Sequence, residues 1–179
     1  AIFFLEDAEM QLVEALMDAD GKHPIHKAVT ALLLEILADC IERGNAAAMC
    51  DMGALYYTGR AGEQDYRQAA YYYDMADKAG NRQATENLGY IYYYGRIGER
   101  DYEKAFKYFK KAADKGNIVA KYKLADMYKN GYYVEKDYEE YKKIVRSLYP
   151  QVKNALYLED PLPEIFTRLA HIEAEEGNE

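Results

Sequence analysis

The chain has 179 residues, half of them hydrophobic, and a formal net charge of −8, and a chain of this length can bury a core without disulfides or metal ions. Because an acidic chain with no basic run is repelled by a phosphate backbone, these figures exclude nucleic acid as a partner. No apolar run reaches the ~20 residues needed to cross a bilayer, which excludes membrane insertion.

Residues 1–44 predict a divergent pair of helices. Asp20 and Gly21 favour a turn, and Pro24 suits the first position of the helix that follows. The apolar start Ala1–Leu5 is too short to span a bilayer and lacks the pattern of a signal peptide. Because the chain begins without Met, we expect a piece of a longer protein, and its localisation stays open with a preference for the cytoplasm.

Cys40 and Cys50 are the only cysteines, too few for a disulfide framework or a zinc site. We interpret them as two buried thiols that pack as small hydrophobic side chains, with a single bridge between adjacent helices as the alternative. A surface metal site at Asp20, His23 and His26 is a further alternative, but their spacing is loose and a fourth ligand is missing. The sequence therefore predicts no metal and no cofactor.

From residue 45 onwards the sequence repeats itself at a constant step of 36 residues. The landmarks of the three copies are Asn45, Asn81 and Asn117; Tyr56, Tyr92 and Tyr128; Gly59, Gly95 and Gly131; and Asp65, Asp101 and Asp137. We therefore predict repeats at 45–80, 81–116 and 117–152, the third of them divergent. A capping helix with an acidic tail is expected at 153–179.

The sequence pattern of each repeat predicts a helix, a turn that contains glycine, and a second helix. In the first helix Ala48, Met52 and Tyr56 recur with helical spacing, and we expect Tyr56 and its equivalents to lie in the core. Asp65, which recurs as Asp101 and Asp137, is a natural N-cap for the second helix. Gln68, three residues after Asp65, suggests a capping box. One such unit cannot bury its apolar face alone, so the fold class is all-α, an α-α superhelix (solenoid) of 36-residue helix-turn-helix repeats.

The third repeat departs from the pattern in three places. Ala125 stands where the other copies have glycine, and the bulky Tyr141 replaces a small alanine. Pro150 is expected to end the second helix of this repeat. Pro163 then favours a last helix that runs to about Glu176. Such drift is typical of the capping units of a repeat array.

The second repeat carries a long motif: Leu88–Tyr92, Gly95–Ala105, Tyr108, Lys111–Ala113 and Gly116–Asn117. This motif resembles the Sel1-like repeat family, a relative of the tetratricopeptide repeats. The resemblance implies a non-catalytic adaptor that assembles protein complexes, and it implies that the first helix of each repeat lines a concave groove.

Placed on the family pattern, the groove becomes an aromatic patch with a polar rim. The candidate partner-binding residues are Tyr57, Gln83, Glu86, Tyr90, Tyr93, Tyr94, Tyr122, Asp126 and Lys129. Tyrosines bury a large area at a low entropic cost, which is why binding hot spots favour them. We expect Tyr90→Ala and Tyr93→Ala to weaken binding and to leave the thermal midpoint nearly unchanged.

The predicted function is a protein-protein interaction or adaptor module that binds a peptide or a partner protein in this tyrosine-rich groove. Two alternatives stay open: recognition of a small molecule or glycan by the same aromatic patch, and a spacer or regulatory domain of a larger protein. The sequence shows no Ser-His-Asp or Cys-His arrangement with a supporting motif, no HExxH and no P-loop, so we predict no enzyme.

Overall fold

A computed structural model describes residues 24–60, 62–155 and 163–177, and all regular structure in these ranges is α-helical. The helices are α1 (Pro24–Glu42), α2 (Ala46–Thr58), α3 (Tyr66–Lys78), α4 (Arg82–Tyr94), α5 (Tyr102–Asp114), α6 (Ile118–Asn130), α7 (Tyr138–Ala155) and α8 (Pro163–Glu176). The predicted start at Pro24 and the predicted end at Glu176 are confirmed. In these ranges no helix has the length and hydropathy that a bilayer crossing requires.

Three predicted features fall outside the described residues, and one of them is the first helix of the pair predicted at 1–44. The turn at Asp20 and Gly21 lies before the first described residue. The alternative metal site lies there as well, since Asp20 and His23 precede α1 and the side chain of His26 is not described.

The helices recur with the period of the sequence. The first helices begin at Ala46, Arg82 and Ile118, and the second helices begin at Tyr66, Tyr102 and Tyr138, in both series 36 residues apart. The chain divides into two compact units, one ending at Asn81 and the other beginning at Arg82. Unit 1 contains α1 to α3, and unit 2 contains α4 to α8.

The second helices are capped as predicted. The Asp65 carboxylate accepts hydrogen bonds from the amides of Arg67 and Gln68, and Asp137 accepts one from the amide of Glu140. The predicted capping box is wrong, because the amide of Asp65, which such a box would use, donates to the carbonyl of Tyr56 at 3.0 Å. The same bond joins the later pairs, Asp101 to Tyr92 and Asp137 to Tyr128. This bond ties the start of each second helix to the end of the first.

In unit 1 the core lies between α1 and α2 and contains Leu33, Leu37, Cys40, Ala48 and Met52. Cys40 and Cys50 are both buried, and no disulfide joins them, as we had interpreted from their number. Burial, together with the neighbouring Asp51 carboxylate, raises the pKa of the Cys50 thiol to about 11. The thiol is therefore protonated and packs as a small apolar group.

In unit 2 the core centres on Phe109 of α5, which is fully buried. A Cβ atom on Gly89 of α4 would lie 2.6 Å from the Phe109 ring, so only glycine lets the two helices approach this closely. Unit 1 repeats the arrangement, since a Cβ atom on Gly53 would lie 2.6 Å from the ring of Tyr73. In the third repeat the equivalent positions hold Ala125 and Val145, and a smaller partner leaves room for the alanine methyl group.

The prediction that the landmark tyrosines of the first helices lie in the core is wrong. Tyr56 and Tyr92 are half-buried and lie at the edge of the core. Each ring stacks on a tyrosine of the following helix at a centroid distance of 5.6 Å, Tyr56 on Tyr72 and Tyr92 on Tyr108. A half-buried position suits tyrosine better than phenylalanine, because tyrosine combines an apolar ring with a polar hydroxyl.

Pro150 does not end the second helix of the third repeat, so this prediction is wrong. Helix α7 continues through Pro150 to Ala155. A proline inside a helix removes one backbone hydrogen bond. The helix is held in place just before that point, where Val145 and Leu148 are fully buried.

Candidate functional site

The predicted partner-binding residues lie on the first helices of the three repeats. Tyr57 belongs to α2 in unit 1, where its ring meets the edge of Tyr66 at 5.1 Å. The other predicted residues belong to α4 and α6 in unit 2. All of the predicted site except Tyr57 therefore lies within unit 2.

Glu86 is buried inside unit 2, with 6% of its surface exposed. Its carboxylate accepts a hydrogen bond of 2.6 Å from the side-chain amide of Asn117 and one of 3.2 Å from Gln83. Asn117 is at the same time the N-cap of α6, since its side-chain oxygen accepts from the amide of Ala120 at 2.8 Å. Glu86 thus fixes the start of α6 against α4.

Tyr122 and Asp126 of α6 face the last helix, α8. The Tyr122 hydroxyl donates to Glu164 at 2.8 Å, and Arg168 forms an ion pair with Asp126. The Arg168 guanidinium also lies over the Tyr122 ring, 4.3 Å from its centroid. Burial and the hydrogen bond to Glu164 raise the pKa of Tyr122. Helix α8 therefore covers this end of the predicted site.

Next to these buried residues lies a continuous cluster of rings, which we call the tyrosine face: Tyr90, Tyr93, Tyr94, Tyr102 and Tyr132. Tyr90 and Tyr94 are stacked at 5.9 Å, and Tyr102 and Tyr132 are stacked at 4.5 Å. The ring of Tyr93 meets those of Tyr94, Tyr102 and Tyr132 at an angle, at 5.1 to 6.0 Å. Tyr94 is the most exposed of the predicted tyrosines in unit 2, at 43%.

The inner side of the tyrosine face rests on the core. The rings of Tyr90 and Tyr93 meet the edge of Phe109 at 5.3 and 6.0 Å. Both tyrosines are half-buried, so their truncation removes packing as well as surface. A nearly unchanged thermal midpoint is therefore no longer expected for Tyr90→Ala and Tyr93→Ala, whereas Tyr94 can be changed with less effect on the core.

Three members of this surface were not predicted: Lys123, Tyr102 and Tyr132. Lys123 of α6 places its ammonium over the rings of Tyr90 and Tyr93, at 5.6 and 5.8 Å from their centroids. Helical spacing could have found it, because Lys123 lies three residues before Asp126 and so on the same face of α6. Tyr132 lies in the turn directly after α6, where no helical period applies. The predicted Lys129 lies instead over the ring of Tyr141, at 5.0 Å.

We expect stability at high pH to depend on Tyr93. Burial raises the pKa of Tyr93 to about 12, with a smaller contribution from the Asp126 carboxylate. The unfolded chain ionises this phenol near pH 10, so its contribution to stability is full below pH 10 and is lost as the pH rises towards 12. We expect Tyr93→Phe to reduce the loss of stability between pH 9 and pH 11.5, as measured by urea unfolding at each pH. A loss equal to that of the wild type would contradict a role for this phenol.

Unit 2 also contains an open crevice of about 270 Å³ between α5, α6 and α7. Leu124, Lys121 and Lys143 are among its lining residues, which include none of the predicted partner-binding residues. Within the described ranges no three His, Cys, Asp or Glu side chains come together as metal ligands would. The crevice and the tyrosine face are therefore separate features of unit 2.

Helix pairs that recur every 36 residues, each capped and joined in the same way, define an α-helical repeat protein of the solenoid class. The family model of the Sel1 repeat matches residues 46–81, 82–117 and 118–140, just over half of the chain. The chain belongs to the Sel1 repeat family. Proteins of this family are generally protein-interaction scaffolds, and the repeat fold is not an enzyme fold.

Solved structures show the same fold. A Sel1 repeat protein from Oxalobacter formigenes is 26% identical, with a TM-score of 0.63, over 77% of this chain and 97% of that one. The protein c5321, a protective antigen of uropathogenic Escherichia coli with an SLR fold, is 22% identical, with a TM-score of 0.67. That match covers 96% of this chain but only 39% of c5321. A comparison with curated protein sequences finds no match.

Proposed function

We propose that this chain is a protein-protein interaction module that binds a peptide segment of a partner protein on the tyrosine face of unit 2. The observation that carries the proposal is a set of rings that are already fixed by one another and still partly exposed. Tyr94 exposes 43% of its surface while its ring is held between those of Tyr90 and Tyr93.

Fixed rings bind at a low entropic cost. A side chain that moves freely loses about 0.5–1.5 kcal/mol of binding free energy when a partner immobilises it. Tyr90 and Tyr93 have lost this freedom on folding, because both rest on Phe109. The hydroxyl of the exposed Tyr94 can exchange hydrogen bonds with a peptide backbone, while the ring faces bury apolar area.

The buried part of the predicted site has a supporting role in this proposal. Glu86 and Asn117 fix α6 against α4. On α8, Arg168 pairs with Asp126 and Glu164 accepts a hydrogen bond from Tyr122. The tyrosine face is therefore presented by helices whose spacing is set by buried polar bonds, and a partner meets a preorganised surface.

Replacing Tyr94 with serine is expected to weaken partner binding by about 2 kcal/mol, roughly thirtyfold, the effect typical of a tyrosine hot spot. The test is affinity capture from a lysate of the source organism, compared with Tyr149→Ser. Tyr149 of α7 is the control, since it is also 43% exposed and its ring also packs against an aromatic neighbour, that of Phe166. Circular dichroism checks that both variants remain folded.

The outcomes are distinct. A protein retained by the wild type and by Tyr149→Ser but lost by Tyr94→Ser supports binding on the tyrosine face. Retention by all three proteins places the partner elsewhere on the chain and contradicts the proposed surface. A wild type that retains nothing above background contradicts the interaction role itself.

A further inference from the structure

The tyrosine face is bordered by basic side chains. The ammonium of Lys123 lies over Tyr90 and Tyr93, and the guanidinium of Arg96 lies 5.5 Å from the centroid of the Tyr94 ring. Arg100 donates a hydrogen bond of 3.3 Å to the Tyr102 hydroxyl. These cations stand on different elements, α6 and the turn after α4, and meet the face from two sides. Such a border is unexpected in a chain with a net charge of −8.

Lys123 differs from the lysines of the neighbouring helix α5. There Lys104, Lys107 and Lys110 each form an ion pair with a carboxylate three or four residues away. Lys123 has three tyrosine rings around its ammonium, at 5.6 to 5.9 Å, and no carboxylate partner among the described residues. Rings attract a cation, but they do not fully satisfy the three N–H donors of an ammonium group.

Three acidic side chains near this face already have partners. Asp126 is paired with Arg168, and Glu164 accepts the Tyr122 hydroxyl. Glu86 accepts from Asn117 and is 6% exposed. Neutralised or buried acids repel an incoming anion weakly, whereas the ammonium of the half-buried Lys123, which no carboxylate in the described part of the chain neutralises, attracts one.

We propose, on the basis of the function proposed above, that the tyrosine face recognises an acidic peptide segment. A carboxylate of the peptide accepts a hydrogen bond from the Lys123 ammonium, while apolar or aromatic side chains of the same peptide pack on Tyr90 and Tyr94. The guanidinium of Arg96 provides a second cationic contact at the exposed end of the face. Charge thus selects the peptide, and the fixed rings supply the buried area.

The test uses the full chain, immobilised, and a phage library that displays random 12-residue peptides. The wild type is expected to enrich peptides with net negative charge. One enriched peptide is then synthesised with a fluorescent label and titrated by anisotropy. We expect Lys123→Gln to weaken its binding about tenfold, as when one partner of a charge-assisted hydrogen bond is removed. Lys107→Gln makes the same change of net charge on α5 and is expected to leave binding within about twofold.

Each contrary result points to a different error. Enrichment of neutral or basic peptides, or equal binding by Lys123→Gln, overturns the acidic preference; sensitivity of the same peptide to Tyr94→Ser would then still uphold binding on the tyrosine face. Enrichment of no peptide by the wild type overturns peptide binding and with it this inference. Competition by heparin that is as strong as that of the unlabelled peptide, and equally sensitive to Lys123→Gln, assigns the surface to polyanions in general and overturns the peptide assignment.

Discussion

Replacing Gly89 with alanine is expected to lower the free energy of unfolding by about 2 kcal/mol, a typical cost of overpacking a tight core. The new Cβ atom would lie 2.6 Å from two atoms of the Phe109 ring. Phe109 is fully buried and meets Tyr90 and Tyr93, so its ring has no space into which it can move. Alanine favours the helix by about 1 kcal/mol over glycine, and this gain is smaller than the cost of the clash. Urea unfolding followed by circular dichroism measures the difference.

The third repeat supplies the control. Its Ala125 and Val145 occupy the positions of Gly89 and Phe109, so combining Gly89→Ala with Phe109→Val copies a pair that the chain already uses. Phe109→Val alone removes buried ring atoms and is expected to cost about 2–3 kcal/mol. The double variant is expected to be more stable than the sum of the single effects predicts, by about 1–2 kcal/mol. Simple additivity would show that the alanine methyl group does not meet the ring.

Replacing Asn117 with alanine is expected to lower the free energy of unfolding by about 3 kcal/mol, for two reasons that add. Loss of the N-cap of α6 costs about 1 kcal/mol, because the amide of Ala120 loses its acceptor. Loss of the 2.6 Å bond to Glu86 leaves a buried carboxylate without its main donor, which costs about 2 kcal/mol more. The measurement is urea unfolding at pH 7.

Asn117→Ser separates the two contributions. Serine is a good N-cap, but its side chain is too short to reach the Glu86 carboxylate. We expect Asn117→Ser to be about 1 kcal/mol more stable than Asn117→Ala and still less stable than the wild type. If Asn117→Ala costs no more than a missing cap, the bond to Glu86 contributes nothing to stability.

Glu86 and Tyr122 show what sequence reasoning about the site could not predict. The family pattern places these two residues one repeat apart in a groove, yet both are buried, at 6–7% exposure. The Glu86 carboxylate and the Tyr122 hydroxyl are satisfied by Asn117 and Glu164, which lie 31 and 42 residues further along the chain. The helical period of a sequence predicts which face of a helix a side chain lies on, but it does not predict a hydrogen-bond partner that is distant in the sequence.

The sequence by itself determined most helix boundaries in the described residues, the end of α7 beyond Pro150 excepted. Helix ends at Pro24 and Glu176, caps at Asp65 and its equivalents, and the 36-residue step follow from residues a few positions apart, because hydrogen bonds of caps and turns close locally. The family follows from the same local pattern.

Only the tertiary structure decided which tyrosines are exposed and which charges are paired. Tyr92 was expected in the core and is half-buried, because it stacks on Tyr108 of the next helix. Lys123 of α6 lies over the rings of Tyr90 and Tyr93 of α4. This contact depends on the distance between the two helices, which the sequence of neither helix determines by itself. Burial and pairing depend on how closely helices approach, and that approach is fixed by packing, as at Gly89 against Phe109.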